Sequence, residues 1–73
     1  MKSGKKMKHI TANRKYVIST TNAFGTGWET MVFNFDKSKN TIVDWQELDG
    51  ERYVSSDDAE AGHRKYIEKW EKE

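Results

Sequence analysis

The segment GWETMVF, residues 27 to 33, decides the fold, because it has the composition of a β-strand with apolar side chains on both faces. Successive side chains of a strand point to opposite sides, so continuing the alternation to residue 35 gives two sets. They are Met31, Phe33 and Phe35 on one face and Trp28, Thr30 and Val32 on the other. The first set is the more apolar, so we predict that it faces the core. The question is then what covers the second set.

Three other segments are typical of strands, because they combine β-branched and aromatic residues between turn sequences. They are KYVIST (15–20), TIVDW (41–45) and ERYV (51–54), the last being either a short strand or an extended lead into a helix. Glycine, asparagine, aspartate and serine fill the connections, which are TNAFGTG (21–27), DKSKN (36–40) and QELDG (46–50). The pattern predicts a three- to four-stranded antiparallel β-meander.

Residues 55–73 predict one amphipathic helix. Ser55 precedes Asp58 by three positions, which is the spacing of a capping box at a helix N-terminus. An apolar stripe at helical spacing follows, formed by Ala59, His63, Tyr66, Ile67 and Trp70. We therefore predict an α+β fold in which this C-terminal helix packs on one face of the sheet, the face of Met31 and Phe33.

Gly62 lies in the middle of the predicted helix, where glycine costs about 1 kcal/mol relative to alanine. A close approach of the helix backbone to a bulky side chain of the sheet explains its presence. We predict Trp45 or Phe33 as that neighbour.

The charges are unevenly distributed along the chain. Residues 1–15 hold six basic and no acidic side chains, whereas residues 16–73 hold seven basic and twelve acidic ones. An uncompensated basic segment without apolar periodicity is typical of a solvated terminus. We predict a flexible basic arm over residues 1–14 and a single α+β domain over residues 15–73.

The composition argues against several classes of function. Cysteine is absent, which excludes disulfides, thiolate metal sites and a cysteine nucleophile. His63 has no nucleophile or acid at a catalytic spacing, so we predict that its ring packs on the sheet and that a ring nitrogen bonds a backbone or carboxylate group. His9 is the only other histidine, and the acids of residues 44–51 do not follow a calcium-loop pattern. We therefore predict no catalytic residues, no metal, no cofactor and no enzymatic activity.

No apolar stretch follows the basic start of the chain, so the sequence predicts neither a secretory signal nor a membrane span. We expect a cytoplasmic location.

A single helix leaves one face of the sheet open, and exposed apolar patches of this kind mark interaction surfaces. We predict that this open face binds a protein, through Tyr16, Trp28, Thr30 and Val32. Alternative covers for the face are the basic arm, the TNAFGTG loop with Phe24, or a second copy of the chain in a homodimer.

The alternative function is single-stranded nucleic-acid binding, in which cations neutralise phosphates and exposed aromatic rings stack on bases. The cations of this alternative site are Lys5, Lys6, Lys8, Arg14 and Lys15. The acidic remainder of the chain repels a phosphate backbone, so protein binding is the favoured prediction.

Four segments of the chain match, in order, segments of a known group of proteins. They are residues 28–33 (WETMVF), 45–48 (WQEL), 52–53 (RY) and 59–63 (AEAGH). In this order, over roughly residues 16–70, the chain resembles a group of small uncharacterised proteins encoded by phages and prophages of Gram-positive bacteria. The resemblance implies a phage or prophage origin, the cytoplasm of a host bacterium and a host or phage protein as partner. It implies no activity.

Glu29 is the charged residue of the first of these segments. By alternation it lies on the face of Met31 and Phe33, where we predict that it pairs with Arg52 or His63.

Overall fold

A computed structural model of the protein describes residues 6–22 and 27–73. Within them, five strands precede one helix. The elements are β1 (Met7–Ile10), β2 (Tyr16–Asn22), β3 (Trp28–Asp36), β4 (Thr41–Ile42), β5 (Asp49–Tyr53) and α1 (Ser56–Glu71). All strand pairs are antiparallel, so the predicted α+β fold is confirmed.

The long strand β3 is the centre of the sheet. Its first edge pairs with β2 from Trp28 to Asn34, and β2 pairs in turn with β1. Its second edge is shared by β5, opposite Trp28 to Val32, and by the short β4. The predicted strand over residues 41–45 is only two residues long, because the chain leaves the edge after Val43 donates to the Asn34 carbonyl and returns where Leu48 donates to Val32.

Helix α1 begins as predicted. Ser55 is the N-cap, and its Oγ accepts a hydrogen bond from the Asp58 N–H at 3.1 Å. The buried residues of the helix are Ala59, Gly62, His63 and Tyr66. Three of these four belong to the predicted apolar stripe, which is confirmed as the surface that faces the sheet.

The helix packs on the opposite face of the sheet from the one predicted. Ile18 and Val32, each 0% exposed, form a core cluster with Tyr66. The prediction rested on the two faces of β3 alone, but the apolar character of a sheet face depends on the side chains of all its paired strands. Ile18 lies directly opposite Val32, so β2 makes this face apolar enough to receive the helix.

Side chains of α1 also bind β5 at this face. The Tyr66 hydroxyl donates to the Gly50 carbonyl at 3.2 Å, and the Lys69 ammonium lies 2.7 Å from Asp49. That bond to Lys69 is the largest reason why the pKa of Asp49 is lowered. The contacts fix the orientation of the helix on the sheet.

The other face of the sheet carries a second, smaller core. Its buried members are Val17, Phe33 and Phe35, and its partly buried members are Ile10, Met31 and Ile42. The Trp45 ring packs edge-on against Phe33, with centroids 5.3 Å apart and planes at 71°. The face opposite the helix is therefore covered at one end by β4 and Trp45, and the rest of it is open.

The predicted flexible arm over residues 1–14 is wrong from residue 7 onward. Residues 7–10 form β1, which is held to the helix as well as to β2. The Glu71 carboxylate lies 2.6 Å from His9 Nε2 and accepts a hydrogen bond from the Ala12 N–H at 3.0 Å. These contacts join residues about sixty positions apart, which local sequence patterns do not reveal. Lys5, and Phe24 of the TNAFGTG loop, lie outside the described residues.

Candidate binding groove

The open face contains a groove that runs along β2 and β3. Two adjoining cavities of about 350 and 240 Å³ form it, and both are lined by Lys8, Val17, Ile42 and Trp45. The floor is largely apolar and includes Met31 and Phe33. We call this pair of adjoining cavities the groove below.

One wall of the groove is basic. Lys8 stands directly opposite Ser19, and Ser19 opposite Met31, so all three share the open face. Lys6 precedes β1 by one residue, and lines the same cavity. His9 of the same strand points to the helix face and contacts Glu71. This contact holds β1 in place and therefore also positions the basic wall.

The opposite wall is the Trp45 side chain, which is 74% exposed although its edge contacts Phe33. Phe33 beneath it is only 4% exposed. The wall exists because residues 44–47 depart from the sheet edge between two backbone hydrogen bonds to β3 and carry the indole over the face. An exposed, amphipathic aromatic ring beside an apolar recess is the kind of group that anchors binding partners.

One end of the groove is also basic. Arg14 and Asn40 both have left-handed backbones, with φ of 60° and 57°, and the Arg14 guanidinium donates to Asn40 Oδ1 at 2.6 Å. This contact brings together the turn before β2 and the turn before β4. The Arg14 guanidinium lies 5.5 Å from the centroid of the Phe35 ring, in a cation–π arrangement.

The charges of the chain are divided unevenly between its two halves. Residues 6–42, which contain β1 to β4, carry six basic and two acidic side chains, whereas residues 43–73 carry five basic and ten acidic ones. The groove wall and its end belong to the basic part. The acidic part comprises α1, β5 and the segment that carries Trp45.

The protein-binding residues predicted from the sequence do not form an open surface. Thr30 and Val32 are fully buried, and Trp28 is 8% exposed, because α1 covers them. Tyr16 packs on Trp70 of the helix at a centroid distance of 4.8 Å. This prediction is wrong because it assigned the helix to the other face.

The residues predicted for the nucleic-acid alternative have a different outcome. Lys6 and Lys8 line the groove, and Arg14 and Lys15 lie in the turn at its basic end. The sequence patterns did not indicate Trp45 and Met31 as groove residues. A tryptophan flanked by the acids Asp44 and Glu47 was a signal of exposure that could have identified the first of them.

A second polar cluster lies beneath the helix. His63 Nδ1 is 2.7 Å from Thr20 Oγ1, which is 2.5 Å from Thr30 Oγ1. The predicted packing of the His63 ring on the sheet is confirmed, although its partner is a threonine hydroxyl. Burial, followed by the nearby charge of His9, lowers the pKa of His63.

We expect the His63 site to make stability depend on pH. Because the pKa of His63 is lowered from 6.5 in the folded chain, the unfolded chain binds the proton first, and stability is lost as pH falls below 6.5 towards the folded pKa. Urea unfolding at pH 7.5, 6.0 and 5.0 is expected to show this loss, with a slope of at most about 1.4 kcal/mol per pH unit.

The His63→Gln variant is expected to lose that slope, with His9 unchanged in both proteins. Carboxylates whose pKa is lowered by hydrogen bonds, such as Glu71 beside His9, lose their contribution only below about pH 4.5. Equal slopes between pH 7.5 and 5.0 in the two proteins contradict the assignment.

Glu29 Oε2 lies 3.7 Å from Arg52 Nη2, so the predicted pairing with Arg52 is confirmed. Among residues 6–22 and 27–73, no three His, Asp or Glu side chains cluster in a way that could hold a metal ion. No helix in this part of the chain has the length and apolar character needed to cross a membrane.

Comparison of the chain with protein-family models, with curated proteins and with solved structures gives no match.

Proposed function

We propose that the protein is a non-enzymatic binding module that holds a segment of a partner protein in the groove. The observation that carries the proposal is a recess between a strand wall and the exposed indole of Trp45, with an apolar floor in which Met31 is partly exposed. Recesses with an apolar floor, a polar rim and one aromatic anchor provide most of the energy of many small interfaces.

The dimensions of the groove suit a peptide chain. Along β2 its floor extends from Val17 to Thr21, which is about 14 Å at 3.4 Å per residue. That length accommodates about four residues of an extended segment. A folded partner can present such a segment as a strand edge or a loop.

The proposal also covers the cellular location of the protein and the source of its partner. On the resemblance to phage and prophage proteins of Gram-positive bacteria, we propose that the chain acts in the cytoplasm of a host bacterium. Its partner is then a host or phage protein.

A substitution on the groove floor tests this function. Met31→Glu places a charge among apolar groups on the open face and is expected to reduce partner binding at least tenfold. Affinity capture from a Gram-positive host lysate identifies partners, and titration of each purified partner measures the change. Trp45→Ala is expected to act in the same direction, because it removes the opposite wall.

Val54→Glu is the matched control, because Val54 is 94% exposed and does not line the groove. It is expected to change binding less than twofold, and thermal unfolding confirms that each variant is folded. A partner that binds Met31→Glu and Trp45→Ala as tightly as the parent chain contradicts the proposal.

Single-stranded nucleic acid remains the second candidate, supported by the two lysines that face an exposed indole across the groove. A fluorescence titration with oligo(dT) at 50 and 200 mM salt separates the two functions. Tryptophan quenching that weakens steeply with salt supports this candidate.

Homodimerisation through the groove is a further outcome, which sedimentation at two protein concentrations detects.

A further inference from the structure

The groove carries a positive charge that no described side chain neutralises. None of the described residues that line its two cavities is acidic, whereas Lys6 and Lys8 are basic. Within the described chain no carboxylate forms an ion pair with either lysine, although Lys65 is paired with Glu51 and Lys69 with Asp49. The two lysines on the groove wall are therefore available to a ligand.

The two lysines also have a defined spacing. Lys6 and Lys8 are two positions apart, so along an extended backbone their side chains lie on the same face, about 7 Å from each other. The side chains of an extended peptide alternate between two sides, and neighbours on one side are also about 7 Å apart. A peptide lying along the groove can therefore match both lysines with alternate residues.

We propose that the occupant of the groove is an extended peptide segment of a partner protein in which acidic and apolar residues alternate. One row of its side chains pairs with Lys6 and Lys8, and the other row packs on Met31 and Trp45. The inference rests on the proposed function and specifies the chemistry of the partner. Opposite charges in a half-buried groove select the partner and accelerate the encounter.

The surroundings of Trp45 favour a peptide over a nucleic acid. Asp44 and Glu47 flank Trp45 and are exposed, so carboxylates border the wall on which a base would stack. Phe33 and Phe35 are buried beneath Ile42 and Trp45, which leaves Trp45 as the exposed ring among the described lining residues. An apolar peptide row meets no repulsion there, whereas a phosphate backbone does.

A displayed library of random octapeptides tests the proposal. Selection on the parent chain is expected to enrich peptides in which Asp or Glu alternates with apolar residues. For a synthesised member of the enriched set, the Kd is expected to rise at least tenfold in the Lys6→Glu/Lys8→Glu variant. The neutral variant Lys6→Gln/Lys8→Gln is expected to give a smaller loss in the same direction.

Arg64→Glu/Lys72→Glu is the matched control, because it makes the same charge change at exposed positions of the helix side. It is expected to change the Kd less than twofold. Replacing the acids of the peptide by lysine is expected to abolish binding to the parent chain and restore it to Lys6→Glu/Lys8→Glu.

The outcomes separate this inference from the proposed function. If the enriched peptides have no acidic excess and do not bind the Met31→Glu variant, the acidic occupant is overturned and the proposed binding groove stands. Peptides that bind independently of Met31 and Trp45 overturn both. Oligo(dT) bound by the parent chain and released by the Lys6→Glu/Lys8→Glu variant, without any peptide enrichment, also overturns both and supports nucleic acid.

Discussion

Ile18→Ala is expected to lower the free energy of unfolding by about 3 kcal/mol, within the range of 2–5 kcal/mol for such truncations of buried side chains. Ile18 of β2 is fully buried between the sheet and the helix, in a cluster with Val32 and Tyr66. The change removes apolar contacts and leaves a cavity that the rigid sheet cannot close. A domain of this length has a total stability of roughly 4–11 kcal/mol, so the loss is large.

Met31→Ala provides the comparison for Ile18→Ala. Met31 lies on the groove floor and is only partly buried, so its truncation is expected to cost less than half as much. Urea unfolding of the two variants and the parent chain measures the difference. If Met31→Ala proves the more destabilising, the helix does not cover the Ile18 face.

The second large effect is expected at Gly62. A Cβ at this position overlaps the Tyr53 ring, which packs against the helix backbone. The predicted close approach is therefore confirmed, but the neighbour is Tyr53 and not Trp45 or Phe33. Gly62→Ala improves helix propensity by about 1 kcal/mol and is nevertheless expected to destabilise the chain by roughly 1 kcal/mol, because overpacking costs about 1–3 kcal/mol.

A double-mutant cycle with Tyr53→Ala isolates the contact. Without the ring, Gly62→Ala is expected to stabilise the chain by up to about 1 kcal/mol, which gives a coupling free energy of about 2 kcal/mol. Urea unfolding of the four proteins measures it. A stabilising effect of Gly62→Ala in both backgrounds shows that Tyr53 moves aside, and contradicts the contact.

Local patterns in the sequence predicted the elements that local interactions form. The capping box at Ser55, the apolar stripe of α1 and the extent of β3 depend on residues close together in the chain. Alternation gave the face of Glu29 and left Arg52 and His63 as its possible partners, and the structure places Arg52 directly opposite it in the adjacent strand. The antiparallel order β2, β3, β4 follows the predicted meander, whereas β5 pairs with β3 and not with β4.

Long-range contacts explain what the sequence patterns missed. Residues 7–10 carry a weak strand signal, and they form β1 through pairing with β2 and through the contact between His9 and Glu71. Period-two alternation separates the side chains of β3 into two sets without saying which set meets the helix. Because that choice was wrong, the predicted binding face was wrong as well, and Trp45 was overlooked.

The most direct test of the account is a nuclear Overhauser spectrum of the parent chain, because the helix face determines which surface is free to bind. The structure predicts cross-peaks from the Tyr66 ring to the methyl groups of Ile18 and Val32, and from the Trp45 ring to Phe33. Cross-peaks from Tyr66 to Met31 or Phe33 place the helix in the groove. That result contradicts both the binding face and the occupant proposed for it.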